Sequence, residues 1–104
     1  MVIMGKGRAY EPETCAGELH ATLVRFEGRA TAEDLFNQIK RRGHWTDDTI
    51  WKEMLSHTIN SPSSYHHFPM VSAASKFLFQ REDGNYELYD STWHGQFRNG
   101  RRVV

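Results

Sequence analysis

The basic side chains of this chain gather in three stretches that contain no aspartate or glutamate: residues 35–46, 54–81 and 91–104. These stretches hold Lys40, Arg41, Arg42, Lys76, Arg81, Arg98, Arg101 and Arg102, with five of the six histidines. Cations without neighbouring carboxylates are the groups that contact phosphates. The pattern predicts local basic surface, although gaps of this length also arise by chance among thirteen acidic residues.

A second group of polar side chains follows the helix-breaking Ser61-Pro62 pair. It consists of Ser63, Ser64, Tyr65, His66 and His67. Hydroxyls and imidazoles donate hydrogen bonds to phosphates and to base edges. Residues 63–67 are therefore a candidate for the segment that reads DNA, although the chain has no lysine or arginine between residues 56 and 75.

Enzyme chemistry finds little support in the sequence. No glycine-rich phosphate loop, H-E-x-x-H, G-x-S-x-G or paired-cysteine motif is present. A metal held by His66, His67, His94 and Asp90 is disfavoured, because adjacent histidines point in different directions and no histidine pair has the i, i+4 spacing. Cys15, the sole cysteine, has the position of a small core residue. We expect no catalysis, no cofactor and no metal.

Three amphipathic helices are predicted to position these groups, over residues 13–27, 31–42 and 47–59. Apolar residues recur at helical spacing in each, and Thr31 and Thr46 stand where N-caps belong. Residues 40–42 lie in the last turn of the second helix. There they either oppose the helix dipole or contact phosphate.

The clearest strand signal comes near the C-terminus. Residues 76–81 and 86–89 are rich in aromatic and aliphatic side chains, and the turn sequence Glu82-Asp83-Gly84-Asn85 separates them. This predicts a β-hairpin that packs on the helices through Phe77, Phe79, Tyr86 and Leu88.

Length and composition bound the organisation of the chain. Its 104 residues, 38% hydrophobic and 25% charged, suit a single folded domain. We expect a flexible lead-in over residues 1–11, one domain over 12–97 and a basic tail over 98–104. No signal sequence or membrane span is recognisable, and one cysteine forms no internal disulfide, so we expect a cytoplasmic protein without a membrane partner.

Capped helices followed by an aromatic hairpin resemble the small winged-helix domains, a helix-turn-helix variant, of bacterial and phage restriction and DNA-processing proteins. The resemblance rests on residues 46–51, on Ser61-Pro62-Ser63-Ser64 and on the hairpin at 77–89 as the wing. It implies an α+β fold with three or four helices before the wing, and double-stranded DNA as partner. DNA-contacting residues would be Lys40, Arg41, Arg42, Ser63, Ser64, Tyr65, His66, His67, Lys76 and Arg81.

Two assignments of the helices fit this resemblance. Either the helices at 13–27, 31–42 and 47–59 are the three helices of the winged helix, or the domain core covers 31–90 and the segment from Ser63 reads DNA. We favour the second, because residues 47–59 are too apolar for a DNA-facing helix. The helix at 13–27 is then an addition to the domain.

A protein-interaction function is the alternative. The chain has zero net charge and three tryptophans, Trp45, Trp51 and Trp93. We expect Trp51 in the core and partial exposure of the other two. In this alternative the partner is a second copy, bound through the helix at 13–27, or another protein.

Overall fold

The computed structural model of the protein describes residues 14–103. In this range the elements are α1 (Cys15–Arg25), β1 (Arg29–Ala30), α2 (Ala32–Arg42), α3 (Asp47–Ser56), α4 (Pro62–His67), a 3₁₀ turn (Ala73–Ser75), β2 (Leu78–Gln80), β3 (Tyr86–Leu88), α5 (Ser91–His94), β4 (Phe97–Arg98) and β5 (Arg101–Arg102). The predicted α+β class is confirmed. The lead-in expected at 1–11 lies outside the described residues. None of the described helices is long and apolar enough to cross a membrane.

Threonine caps fix where the first three helices begin. The hydroxyl oxygens of Thr14, Thr31 and Thr46 each accept a hydrogen bond from a backbone N–H three residues later. This satisfies one of the N–H groups that have no partner within the helix. Gly43 ends α2 in the left-handed conformation, at φ +80°, which a glycine adopts without steric cost.

The core lies between these three helices and one face of the sheet. Its fully buried members are Leu19 and Leu23 from α1, Leu35 and Ile39 from α2, Ile50 and Met54 from α3, and Leu78 from β2. Burying a side chain of this size is worth about 1.5–3 kcal/mol. The helix expected as an addition before the domain is thus part of the core.

The sheet joins distant parts of the chain in the order β1-β3-β2, with both pairs antiparallel. β1 pairs Arg29 with Glu87, and β2 pairs Leu78 with Leu88. The chain after α3 lies beside β2, where the Leu78 N–H donates to the carbonyl of His57. This pairing explains why α3 ends at Ser56 and not near residue 59, as predicted.

The hairpin predicted from the aromatic strands is present, and Phe77, Tyr86 and Leu88 pack on the core as predicted, whereas Phe79 does not. Leu78 and Tyr86 point to the helices, whereas Phe79 points to the opposite face. There the Phe79 ring stacks on His94 of α5, with 4.0 Å between ring centroids, and contacts Phe97 of β4. Both faces of the sheet are therefore covered.

The segment expected as a basic tail at 98–104 forms a second hairpin over its described part. β4 and β5 pair Phe97 with Arg102 and Arg98 with Arg101. The turn between them is Asn99-Gly100, and both residues have positive φ, at 52° and 86°. Asn-Gly is the preferred sequence of such a two-residue turn.

Candidate functional site

The segment predicted to read DNA is the short helix α4, and only part of it faces solvent. Ser64 is fully buried and its hydroxyl donates to the carbonyl of Thr58 at 2.7 Å. The Tyr65 hydroxyl donates to the carbonyl of Ile59 at 2.9 Å. These two side chains anchor the helix to the domain, which leaves Ser63, His66 and His67 exposed.

Lys76 lies inside the protein and not on the surface of the wing. Its side chain is 2% exposed, and its ammonium donates to the carbonyl of Ser56 at 2.5 Å. The same nitrogen lies 4.6 Å from the centre of the Tyr65 ring. Burial lowers the pKa of Lys76. Its hydrogen bonds to the carbonyls of Ser56 and Ser64 link the end of α3 to α4, and the buried ammonium is not accessible to a DNA phosphate.

Arg81, the second basic residue predicted on the wing, is occupied by acidic neighbours. Its guanidinium donates to Glu87 at 2.9 Å and lies 3.5 Å from the Asp83 carboxylate. The hydrogen bond to Glu87, with the charge of Asp83, raises the pKa of Arg81. Glu82 and Asp83 are exposed beside it. The wing thus presents a balanced surface and not a basic one.

The basic triplet at the end of α2 is also partly neutralised. The Lys40 ammonium lies 3.0 Å from the Asp47 carboxylate, and the Arg42 guanidinium lies 3.4 Å from Glu18. Arg41 is exposed. These contacts link the end of α2 to α3 and to α1. The exposed Lys40–Asp47 pair contributes little to stability, about 0–1 kcal/mol.

A buried carboxylate that the sequence did not indicate joins the strands. Glu87 is 2% exposed and accepts hydrogen bonds from Arg29 at 2.8 Å, Arg81 at 2.9 Å and His94 at 2.9 Å. Burial alone would raise the pKa of Glu87, but these hydrogen bonds lower it below its ordinary value. Nδ1 of His94 accepts from the backbone N–H of Asp90, so its Nε2 carries the proton donated to Glu87. The cluster is a structural network.

The C-terminal hairpin carries three arginines that no carboxylate within residues 14–103 neutralises. Arg98 and Arg101 lie directly opposite each other, and such cross-strand pairs of like charge are destabilising in a sheet. The Arg102 guanidinium lies 5.4 Å from the centre of the Phe97 ring. Among residues 14–103, no ion pair involves any of these three arginines.

The hairpin packs against α4, which brings two of the acid-free stretches together. Gly100 lies against the backbone of Ser61 and Pro62. A cleft of about 500 Å³ runs between the hairpin and the 3₁₀ turn, and no acidic residue lines it. We call this surface the acid-free face. The exposed polar residues that line it are Ser72, Gln96, Arg98 and Asn99, and the exposed Ser63, His66 and His67 belong to α4, whose Tyr65 also lines it. Arg101 is paired with Arg98 across the hairpin, whereas Arg102 lines a neighbouring cleft together with Glu82 and Asp83.

Sequence reasoning missed this hairpin, although its signal was present. Asn99-Gly100 between Phe97-Arg98 and Arg101-Arg102 has the form of a two-residue hairpin. The strands are only two residues long, so no alternation of apolar and polar residues marked them. The arginines were therefore assigned to a tail and left out of the predicted DNA-contacting residues.

Cys15 and His94, which were considered as possible catalytic or metal-binding residues, are buried within the domain. Cys15 is buried; its burial, together with the nearby Glu53 and Glu18 carboxylates, raises the pKa of the thiol to about 12. His94 is buried in the Glu87 cluster, away from exposed His66 and His67. In the part of the chain that the structure describes, no three histidine, cysteine or acidic residues are close enough to hold a metal ion.

Comparisons of this chain with protein-family models, with curated proteins and with solved structures found no match. Function is therefore inferred from the geometry of the chain itself.

Proposed function

We propose that this protein is a non-enzymatic module that binds double-stranded DNA through the acid-free face. The observation that carries the proposal is the packing of the arginine-bearing hairpin against α4. This packing brings Arg98 to a cleft that no acidic residue lines, and Arg101 and Arg102 on the same hairpin form no ion pair within residues 14–103. Cations of this kind displace the counterions condensed on a phosphate backbone, and this release supplies much of the affinity for DNA.

A winged-helix architecture is part of this proposal. It is supported by the order of α1, β1, α2, α3, β2 and β3 and by the antiparallel sheet β1-β3-β2. Because α1 lies in the core, the three helices of the proposed winged helix are α1, α2 and α3. This is the first of the two assignments considered from the sequence, and not the favoured one.

In this assignment α3 has the position of a recognition helix, but its surface does not suit DNA. Asp47 and Asp48 occupy its first turn, where they would repel phosphates. Their ion pairs with Lys40 and Lys52 leave few unpaired cations nearby. We therefore assign DNA contact to the acid-free face, where arginines meet the backbone and sequence selectivity is low.

A charge-matched pair of variants tests the proposal. One variant replaces Arg98, Arg101 and Arg102 with glutamine, and the control replaces Lys40, Arg41 and Arg42 with glutamine. Both variants have three fewer positive charges than the unmodified protein. Binding of a fluorescent duplex is measured by anisotropy at several salt concentrations, and thermal unfolding confirms that both variants are folded.

We expect the hairpin variant to bind more weakly and its salt dependence to flatten. The slope of log K against log salt should fall by about 0.9 for each phosphate that the variant no longer neutralises. The control should keep the slope of the unmodified protein to within about one unit. Equal weakening of the two variants would mean a diffuse charge effect, and weakening confined to the control would move the interface to the end of α2.

A cytoplasmic location fits this function. A DNA-binding module would work in a reducing compartment, and the one cysteine of this chain is a buried free thiol, which suits such a compartment.

Protein interaction is the second candidate, and exposed aromatic side chains favour it. Trp51, expected in the core, is 48% exposed and stacks on Phe36 with 4.4 Å between ring centroids. Trp93 is 63% exposed. Dimerisation through α1, as considered from the sequence, loses its basis because Leu19 and Leu23 are buried within their own domain.

A further inference from the structure

Trp93 stands beside a shallow groove on a different part of the surface from the acid-free face. It belongs to α5, is 63% exposed and stacks on His94 with 4.5 Å between ring centroids. The groove, of about 570 Å³, is lined by Glu27, Gly28, Leu88, Tyr89, Asp90, Ser91 and Trp93. We call it the Trp93 groove. Tryptophan is enriched among the residues that supply most of the binding energy at interfaces.

The charge of the Trp93 groove is opposite to that of the acid-free face. Glu27 and Asp90 contribute two exposed carboxylates, and the groove itself is lined by no basic residue. Arg29 lines the adjoining cleft, which shares Glu27, Gly28 and Trp93 with the groove, and its guanidinium is paired with Glu87 at 2.8 Å. No ion pair within residues 14–103 involves either carboxylate, although the Asp90 carboxylate accepts a hydrogen bond from the Thr92 N–H. The faces of aromatic rings are also negative because of their quadrupole. The two carboxylates and the aromatic ring faces of the groove thus favour a cation.

Glu27 adopts an unusual backbone conformation at the edge of this groove. Its φ is 59°, in the left-handed region, and Gly28 follows at φ 87°. Glutamate is disfavoured there, whereas glycine and asparagine adopt the conformation readily. The turn at position 27 therefore favours glycine or asparagine over the glutamate that supplies the carboxylate.

We propose that the Trp93 groove binds the alkylammonium group of a lysine side chain presented by a partner protein. The ammonium would lie over the indole or phenol ring and between the two carboxylates, and its methylene chain would contact Leu88. Charge complementarity selects this occupant, since phosphates and acidic peptides would be repelled by Glu27 and Asp90. The site is independent of the proposed DNA-binding surface.

Nuclear magnetic resonance with small probes tests the groove directly. The probes are N-acetyl-lysine methylamide, its trimethyl-lysine counterpart and the neutral norleucine counterpart. The protein is labelled with ¹⁵N, and the indole N–H signal of Trp93 is assigned as the one missing in Trp93→Leu. We expect the lysine probes to shift this signal, with norleucine binding about tenfold more weakly.

Two acid-removing variants separate the site from a general charge effect. Glu27→Asn removes the carboxylate and suits the left-handed conformation, so it should unfold at the same or a higher temperature and bind the lysine probe several-fold more weakly. Glu82→Gln makes the same charge change at the wing and should bind as the unmodified protein does. Equal shifts with lysine and norleucine, or unchanged lysine binding by Glu27→Asn, would overturn the proposal. Neither result would bear on DNA binding.

Discussion

Gly100 is the residue that holds the arginine-bearing hairpin against α4, and its replacement by alanine is the most informative perturbation of the fold. A Cβ at this position would lie 2.5 Å from the carbonyl carbon of Ser61 and 2.6 Å from the Cα of Pro62. Both are backbone atoms, so no side chain can rotate away to make room. Gly43 is the matched control, because its φ is also left-handed, at +80°, and a Cβ there would meet nothing within 4 Å.

Both substitutions put a side chain on a residue with positive φ, but only the one at Gly100 also creates a clash with backbone atoms. The expected losses of stability can therefore be compared. A side chain in the left-handed conformation costs about 1–2 kcal/mol, offset in part by the lower entropy of the unfolded chain. We therefore expect Gly43→Ala to lower the free energy of unfolding by about 1 kcal/mol. In Gly100→Ala the hairpin must also leave α4. Removing half-buried Phe97 from its packing adds about 1–1.5 kcal/mol.

Thermal unfolding followed by circular dichroism measures this difference. In a domain of this size, 1 kcal/mol corresponds to about 4–8 °C in Tm. Gly43→Ala should thus lower the Tm by about 4–8 °C, and Gly100→Ala by roughly twice as much. Gly100→Ala should also weaken duplex binding, whereas Gly43→Ala should not. Equal Tm values and equal DNA affinities for the two variants would refute the packing of the hairpin on α4.

Three further predictions concern the buried ionisable groups. Glu87→Gln removes the acceptor shared by Arg29, Arg81 and His94, and we expect it to lower the free energy of unfolding by about 1.5–3 kcal/mol in urea denaturation; an unchanged midpoint would contradict the network. Cys15 should react with a thiol reagent only on unfolding, since burial raises its pKa to about 12, and fast labelling of the native protein would contradict this. The free energy of unfolding should fall as pH falls below about 6.5, because burial lowers the pKa of His57 and of His20 in the folded state, so the unfolded chain binds more protons. It should fall further below about pH 4.5, because the pKa of Glu87 is also lowered in the folded state. Urea midpoints at pH 7, 5.5 and 4 measure this trend, and constant midpoints would contradict it.

Local signals in the sequence predicted the elements that depend on local chemistry. Thr31 and Thr46 cap α2 and α3 as expected, and Gly43 ends α2. The turn containing Gly84 joins β2 to β3, as the run of turn residues indicated. Each of these features is decided within a few residues of the chain, so the sequence carries it directly.

Features decided by distant pairing were not predictable in the same way. Whether Phe79 or Leu78 faces the helices depends on the register with β3 and on α5 covering the other face. The burial of Lys76 depends on carbonyls about 12 and 20 residues away along the chain. A phenylalanine such as Phe79 is usually found in the main core, and a lysine such as Lys76 is usually found on the surface. In this fold each lies where its residue type does not predict it.

The candidate site shows the same division. The acid-free stretches were visible in the sequence, but their packing was not, because Gly100 meets Ser61 and Pro62 across a long separation in the chain. Ser64 and Tyr65 looked available for DNA because their hydroxyls had no evident partner. In the fold, the carbonyls of Thr58 and Ile59 accept both hydroxyl protons.

The most direct test of DNA binding through the acid-free face is a map of amide chemical shifts of the ¹⁵N-labelled protein during titration with a short DNA duplex at low salt. We expect the largest changes in α4 and in the hairpin from Phe97 to Arg102, and we expect them to disappear as salt is raised. Changes concentrated in α3 and the wing, or no changes with any duplex, would contradict this assignment.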